Sequence, residues 1–575
     1  MQQREYKDTV TLPKTSFAMR AGLPQKEVNF LKKWEEENLW QALRHKSRNA
    51  KRYIIHDGPP YANGHLHIGH ALNKILKDLI NRSYQMMGYD AHYVPGWDCH
   101  GLPIEWKIEE QLRAKGKNKD DLPINSFRKL CRNFAQKWID IQINEFKRLG
   151  VSANWDHPYK TMDFESEALI VKEIGKFLLN GSLYLGKKPV FWSIVERTAL
   201  AEAEIEYKDH VSVSVDIGFE IVESVQSDLI GAHVVIWTTT PWTLPANRAI
   251  AFNDKFSYGL YHINGFLEGS QSAVSPNVRI IIADRLWPDF IRKCRLDENQ
   301  CKRLGDIDAQ ILSRTICAHP WADHGYDHKI HCYHGDFVSD QTGTGFVHIA
   351  PTHGHEDYEL SLKYGFTGFD TVGEDGVFMD HVPIFAGTSV YDFEGKKGTA
   401  EKPIIEMLKK VKKLYAIEKI KHSYPHSWRS KAPLIFRNTS QWFISMSENN
   451  LREKALKAID DTVFFPPPGQ KRLYDMIEQR PDWCLSRQRF WGVPIAIFKH
   501  VKTGQPLRDS KIMENIEKAF AEHGSDIWYD ADPRQFLTPE YNKDEWSPVY
   551  DVADVWFDSG STHAFVLEQR KELKW

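Results

Sequence analysis

Residues 51–101 constrain the fold more than any other stretch of this chain. "KRYII" is a short β-branched run, and the breakers in "GPPYANG" turn it from a strand into a tight loop. In "HIGHALNKILKDLINRSYQMMG" the apolar residues Ile68, Ala71, Leu72, Ile75, Leu76 and Leu79 recur at helical spacing, and Gly88 offers a C-terminal stop. "YDAHYVPGWDCHGLPIE" then reads as a second strand running into a Gly-rich loop. Strand, loop, helix and strand in this order form the βαβ unit of a parallel sheet, whose crossover takes one hand.

A length of 575 residues exceeds one ordinary core, so roughly two to four domains are expected. Upstream, 26–44 ("KEVNFLKKWEEENLWQALR") predicts one amphipathic helix. Near residue 190 the texture changes: "HVSVSVDIGFEIV" alternates apolar and polar residues, and "AHVVIWTTTPWTLPANRAIAF" and "VRIIIADRL" are β-rich. After about 415, "PLIFRNTSQWFI", "WCLSRQRFWGVPIAIF" and "DVADVWFDSG" return to strands and loops. The expected organisation is therefore an α/β domain begun in 1–190, interrupted by a β-rich insertion at 191–415, and resumed in 416–575.

Composition narrows the partners. The formal net charge of −2 argues against non-specific coating of nucleic acid, which needs a basic excess, but leaves room for a local basic face. Seven scattered cysteines without a C-x-x-C pair fit a reduced, cytoplasmic setting. No apolar run approaches the ~18 residues of a membrane span, and the first residues carry acids where a secretory signal would be apolar.

The helix mouth carries three histidines, His65, His67 and His70, among Gly64 and Gly69. A helix N-terminus has unsatisfied N–H groups and the positive end of the macrodipole, so it suits phosphate. Gly64 and Gly69 allow close approach to the backbone, and imidazoles there can donate to charge developing on a reacting phosphate. Zinc is the weaker reading, because Cys99 and His100 sit on another element.

"PPYANGHLHIGH" resembles the His-Ile-Gly-His signature of the class I aminoacyl-tRNA synthetases, and "GWDCHGLPIE", "WTTTPWTLPANRAI", "GTGFVHIAPTHGHEDYE", "WCLSRQRFWGVPIAIF" and "DVWFDSGSTHAF" follow in that family's order. Together with the leader-like "YKDTVTLPKTSFAMRAGLP", they are most similar to its bacterial isoleucine branch. The resemblance implies a Rossmann-like catalytic domain interrupted by an editing domain. It implies activation of L-isoleucine by ATP and Mg²⁺, transfer to tRNA(Ile), and no covalent enzyme nucleophile. By the same resemblance, Gly58, Pro59, Pro60, Asn63, Gly64, His67, Gly69 and His70 bind ATP, with His67, His70 and Asn73 catalytic. Asp98 holds the substrate ammonium, and Gly58, Pro59 and Trp556 wall the amino-acid pocket.

An apolar pocket discriminates one methylene by only ~1–3 kcal/mol, an argument for which isoleucine against valine is the standard example. The insertion is accordingly expected to hydrolyse Val-tRNA(Ile), with Thr238, Thr239, Thr240 and Asn247 lining the pocket, His348 limiting its size and Asp357 gripping the ammonium, without zinc.

Three departures stand beside the resemblance. The Lys-Met-Ser-Lys-Ser segment does not occur in the 575 residues, so the phosphate loop, the anticodon-binding region and a C-terminal zinc site are expected in a continuation beyond Trp575, and the parallel sheet is expected to be incomplete. Ser193, Glu196 and Ser427 stand where relatives often carry cysteines, which disfavours a zinc knuckle. A monomer without membrane attachment is expected. Competing readings are the valine or leucine sister enzyme, an editing or tRNA-binding unit without synthetic activity, and a small-molecule nucleotidyltransferase.

Overall fold

The computed structural model describes residues 9–11, 16 and 20–574, and most of the leader-like stretch lies outside them. The segment expected as one helix forms two: α1 (Leu23–Glu36) and α2 (Leu39–Ser47). Asn38 breaks them by taking a left-handed backbone at φ 48°, which Asn tolerates better than most residues.

The βαβ unit follows as read. β1 (Arg52–Ile54) leads through the Gly-Pro-Pro loop into α3 (Ile68–Met86), and β2 (Asp90–His92) pairs parallel with β1. Gly88 has φ 91°, as a helix stop requires. The orientation of α3 is not what its periodicity suggests. Its buried residues are Lys74 and Asn81, while Ile68, Leu72, Ile75, Leu76, Leu79 and Ile80 are exposed. Lys74 turns inward because its ammonium bonds Asp57 and reaches Tyr93 Oη at 2.6 Å, and Lys77 also bonds Asp57. The apolar stripe faces out beside a parallel sheet of only two strands. Leu72→Glu with Leu76→Lys is therefore expected to change stability by no more than ~0.5 kcal/mol in urea denaturation. A large loss of stability would show that this face is buried.

β3 (Gly96–Trp97), α4 (Leu102–Arg113), α5 (Ile124–Arg148), β4 (Tyr159–Lys160) and α6 (Phe164–Leu179) complete the first half. β3 and β4 are parallel. Ile170, Val171, Ile174 and Leu178 of α6 pack with Ile512, Ile516, Phe520 and Trp528, so residues before and after the insertion share one core.

The chain leaves this body along β5 (Leu183–Ser193) and enters β6 (Ile205–Glu223). β7 (His233–Thr238), β8 (Ala249–Phe252) and β9 (Phe346–Ile349) belong to the insertion's sheet, ten-stranded among the described residues, and α7 (His355–Tyr364) follows. The chain returns along β10 (Leu414–Ser427), antiparallel to β6, and β11 (Ile435–Ile444), antiparallel to β5. Two long strand pairs thus form the root of the insertion. The expected limits at 190/191 and 415/416 fall inside β5 and β10. The insertion has its own core of Val215, Ile217, Phe219, Val234, Ile236 and Trp321. No described helix is long and apolar enough to cross a membrane.

Candidate active site

At the mouth of α3 the two signature histidines cap their own helix. His67 Nδ1 accepts from the Gly69 N–H at 3.0 Å, and His70 Nδ1 accepts from the His67 N–H at 3.2 Å. A neutral imidazole that accepts at Nδ1 carries its proton at Nε2. Both rings, 3.8 Å apart by centroid, therefore present an Nε2–H donor beyond the cap. Burial, and then the neighbouring His67 and Lys74 charges, lowers the His70 pKa and favours this neutral form. Gly69 leaves room for the His67 ring, since a Cβ there would stand 2.8 Å from His67 Cε1. Gly69→Ala is expected to displace that ring and cost about 1 kcal/mol of capping, measurable by urea denaturation. His65 points elsewhere, to Glu145 Oε1 at 2.5 Å.

The loop before the helix is held by the second motif. Asp98 N donates to Pro60 O at 3.0 Å and Ala62 N donates to Asp98 O at 2.9 Å. Gly58 is open, with nothing within 4 Å of an added Cβ. Pro59, Asn63 and Gly64 are half-buried, Pro60 is buried and Asn73 is exposed. Asp98 has a buried Oδ1 with no partner, and the Ser559 side chain lies near enough to its carboxyl to favour the charged form. Burial, then the charge of Asp558, pushes its pKa well above the usual carboxylate range, with Ser559 opposing. Ser559 belongs to α8 (Val555–Gly560), and Trp556, three residues earlier on the same helical face, is 55% exposed. Asp98 is thus tied to the loop that carries Gly58 and Pro59, and Ser559, on the helix of Trp556, lies near its carboxyl.

In the insertion, Thr240 N donates to Thr238 Oγ1 at 3.1 Å, and the two hydroxyl oxygens lie 3.3 Å apart. His348, on β9, stands between Thr243 Oγ1 at 2.9 Å and Asn247 Nδ2 at 3.3 Å, and burial lowers its pKa to about 4. Asp357 Oδ2 accepts from the Ala350 N–H at 2.7 Å, and burial raises its pKa to about 7. Thr243 ties the threonines to His348, a role the sequence reading missed although it ends the "TTTPWT" run. A cavity of about 30 Å³ touches Thr239 and Thr240 from the side of His210, Tyr391 and Lys397, which the sequence did not single out.

The sequence profile of the tRNA synthetases class I (I, L, M and V) matches residues 29–574. The chain belongs to this family.

Among curated relatives, isoleucine–tRNA ligase of Pelagibacter ubique (strain HTCC1062) is 48% identical over 569 residues, 99% of this chain and 61% of that protein. Isoleucine–tRNA ligase of Ruegeria pomeroyi is 51% identical over 593 residues, 99% of this chain and 60% of that protein. The chain thus spans about 60% of the length of these curated relatives. A solved ternary LeuRS–tRNA–LeuAMS complex from Agrobacterium radiobacter K84 covers 96% of this chain and 60% of that chain, at 16% identity and TM-score 0.38.

Two further details bear on metals. His353 has both ring nitrogens engaged, at 2.8 Å from Phe436 O and 2.9 Å from Thr371 Oγ1. Ser193, Glu196 and Ser427 do meet: Glu196 Oε1 accepts from Ser427 Oγ at 2.8 Å and Ser430 N at 3.1 Å, while Ser193 Oγ accepts from Glu196 N at 3.2 Å. A carboxylate joins those two turns through hydrogen bonds. Among the described residues no three His, Cys, Asp or Glu side chains group as a metal set.

Proposed function

We propose that this chain carries the activation and editing sites of an isoleucine–tRNA ligase, working as a single chain in the cytoplasm. The observation that supports it most is the convergence of Asp98 with the 58–64 loop and with the helix of Trp556, beside two outward Nε2–H donors on His67 and His70. In this reading Asp98 takes the isoleucine ammonium while Gly58, Pro59 and Trp556 bound its side chain. The carboxylate then attacks the α-phosphorus of ATP and pyrophosphate leaves. Pro60, Asn63, Gly64 and Gly69 border the nucleotide, and Asn73 assists one turn further on. His67 and His70 donate to the phosphate oxygens as charge builds there, which is electrostatic catalysis without a nucleophile. Mg²⁺ would enter with the nucleotide, held mainly by its phosphate oxygens.

The inserted β-rich domain hydrolyses Val-tRNA(Ile). Thr238, Thr239 and Thr240 position water and ribose, Asn247 and His348 close the pocket, and Asp357 takes the ammonium. The high identity to isoleucine–tRNA ligases supports isoleucine over valine or leucine.

Two assays test the reading: ATP–pyrophosphate exchange with isoleucine, valine and leucine, and deacylation of Val-tRNA(Ile) against an Asp357→Ala control. Isoleucine-dependent exchange with Asp357-dependent deacylation is expected. Deacylation alone would assign the chain as an editing unit, and faster exchange with valine or leucine would refute the substrate.

A further inference from the structure

Beneath the candidate ammonium site lies a buried charge network that joins distant parts of the chain. His100, two residues past Asp98, is 1% exposed. Its Nδ1 lies 2.8 Å from Asp558 Oδ2 and its Nε2 lies 3.4 Å from Glu167 Oε1. Glu167 of α6 also accepts from Arg132 Nη2 at 2.8 Å and from the Ser525 N–H at 2.7 Å. Asp558 of α8 is next to Ser559, whose side chain lies near the Asp98 carboxyl.

Two carboxylates therefore share this interior, and each has a buried oxygen without a partner: Asp98 Oδ1 and Asp558 Oδ1. Like charges in a low-dielectric site resist joint ionisation. An anionic Asp98 needs a cation beside Asp558, and the side chain in contact with Asp558 is His100.

We propose that His100 is a positioning residue for amino-acid recognition: set between Asp558 and Glu167, its imidazolium cancels the Asp558 charge and so lowers the cost of ionising Asp98 when the substrate ammonium enters. The proposal rests on the reading of Asp98 given above. Burial alone would lower the His100 pKa, but the Asp558 hydrogen bond and the nearby Glu167 carboxylate outweigh it and raise it. Glu167 is held down to about 2 against its burial by the neighbouring His100 and Arg132. Other charged and titratable groups around His100 are Arg128 behind Glu167, Asp554 behind Asp558, and Tyr61, whose hydroxyl donates to the His100 carbonyl. The edge-on Trp491 ring, 4.9 Å away, excludes water from one side.

The test is calorimetric binding of L-isoleucine to the intact chain from about pH 5.5 to about pH 8.5, the range in which histidine titrates. The proteins are the wild type, His100→Gln, Asp558→Asn and the double variant, with Asp98→Asn testing the underlying reading. His100→Gln keeps a donor to Asp558 but removes the charge. It is expected to weaken binding about tenfold near pH 6.5, the equivalent of one unit of carboxyl shift, with the loss shrinking as rising pH ionises Asp98 unaided. Adding Asp558→Asn is expected to restore binding, because the charge that His100 offsets is gone. Weakening that is equal at every pH, or a double variant without rescue, overturns the proposal. Asp98→Asn binding isoleucine as the wild type does, or a wild type that binds none, overturns the Asp98 reading and the proposal with it.

Discussion

Arg128→Met is expected to destabilise the chain by about 3–5 kcal/mol, the range for breaking a buried ion pair from one side. Arg128 is fully buried on α5. Its Nε meets Asp526 Oδ1 at 2.5 Å, Nη1 donates to Phe490 O at 2.7 Å and Gly492 O at 2.9 Å, and Nη2 donates to Ser525 Oγ at 2.6 Å. Methionine fills much of the volume but leaves two carbonyls and a carboxylate without their donor. Asp526 is 28% exposed at its side chain, so water recovers part of that loss and favours the lower end of the range. Urea denaturation measures the effect, with Arg148→Met as comparator. Arg148 pairs with Glu27 at 3.0 Å on the surface, where such pairs contribute about 0–1 kcal/mol. Equal losses in the two variants would refute the account. The consequence for function is local: Trp491 sits between the two carbonyls, its O accepts from Gly101 N at 3.0 Å and its Nε1 donates to Cys99 O at 2.6 Å. Loosening that loop loosens the motif that carries Asp98.

Asp98→Asn is expected to weaken isoleucine binding by about 2–5 kcal/mol, roughly 30- to 4000-fold, because the ammonium then enters a buried site without its counter-charge. Stability should move the other way. A carboxyl whose folded pKa is raised binds more protons folded than unfolded, so its contribution falls as pH climbs above the ordinary Asp range. Asparagine has no such titration. The variant should therefore be at least as stable as the wild type at neutral pH, and its stability should fall less between about pH 4 and pH 7. Calorimetry and urea titration at both pH values check the two halves. Asp98→Asn that lost stability and kept affinity would make Asp98 a structural residue. Opposite signs for binding and stability are the usual mark of a functional group held in an unfavourable place.

The local order of 51–101 was legible because breakers and 3.6-residue periodicity act over a few residues. The same periodicity did not say which way α3 faces. Lys74 turns inward because Asp57 and Tyr93, from two other elements, give its ammonium partners that a leucine could not use. One helix was expected over 26–44 because apolar spacing continues through the break; the left-handed Asn38 carries no periodic signal. The threonines, His348 and Asp357 were singled out, yet Thr243, which bonds the Thr240 carbonyl and His348, was passed over because a lone hydroxyl in a strand-rich segment looks ordinary. His100 was weighed only as a metal ligand, since its true partners, Glu167 and Asp558, are 67 and 458 residues away.

By itself the sequence determined the βαβ unit, the position of the histidines at the mouth of α3 and the presence of a β-rich insertion. Each of these follows from spacing within a short window or from a motif. Only the tertiary structure decided which charges share an interior, which face of α3 is wet, and that Gly69 makes room for a ring. Those outcomes depend on the cost of burying a charge without a partner, and the partner is chosen by packing between segments that no local pattern connects.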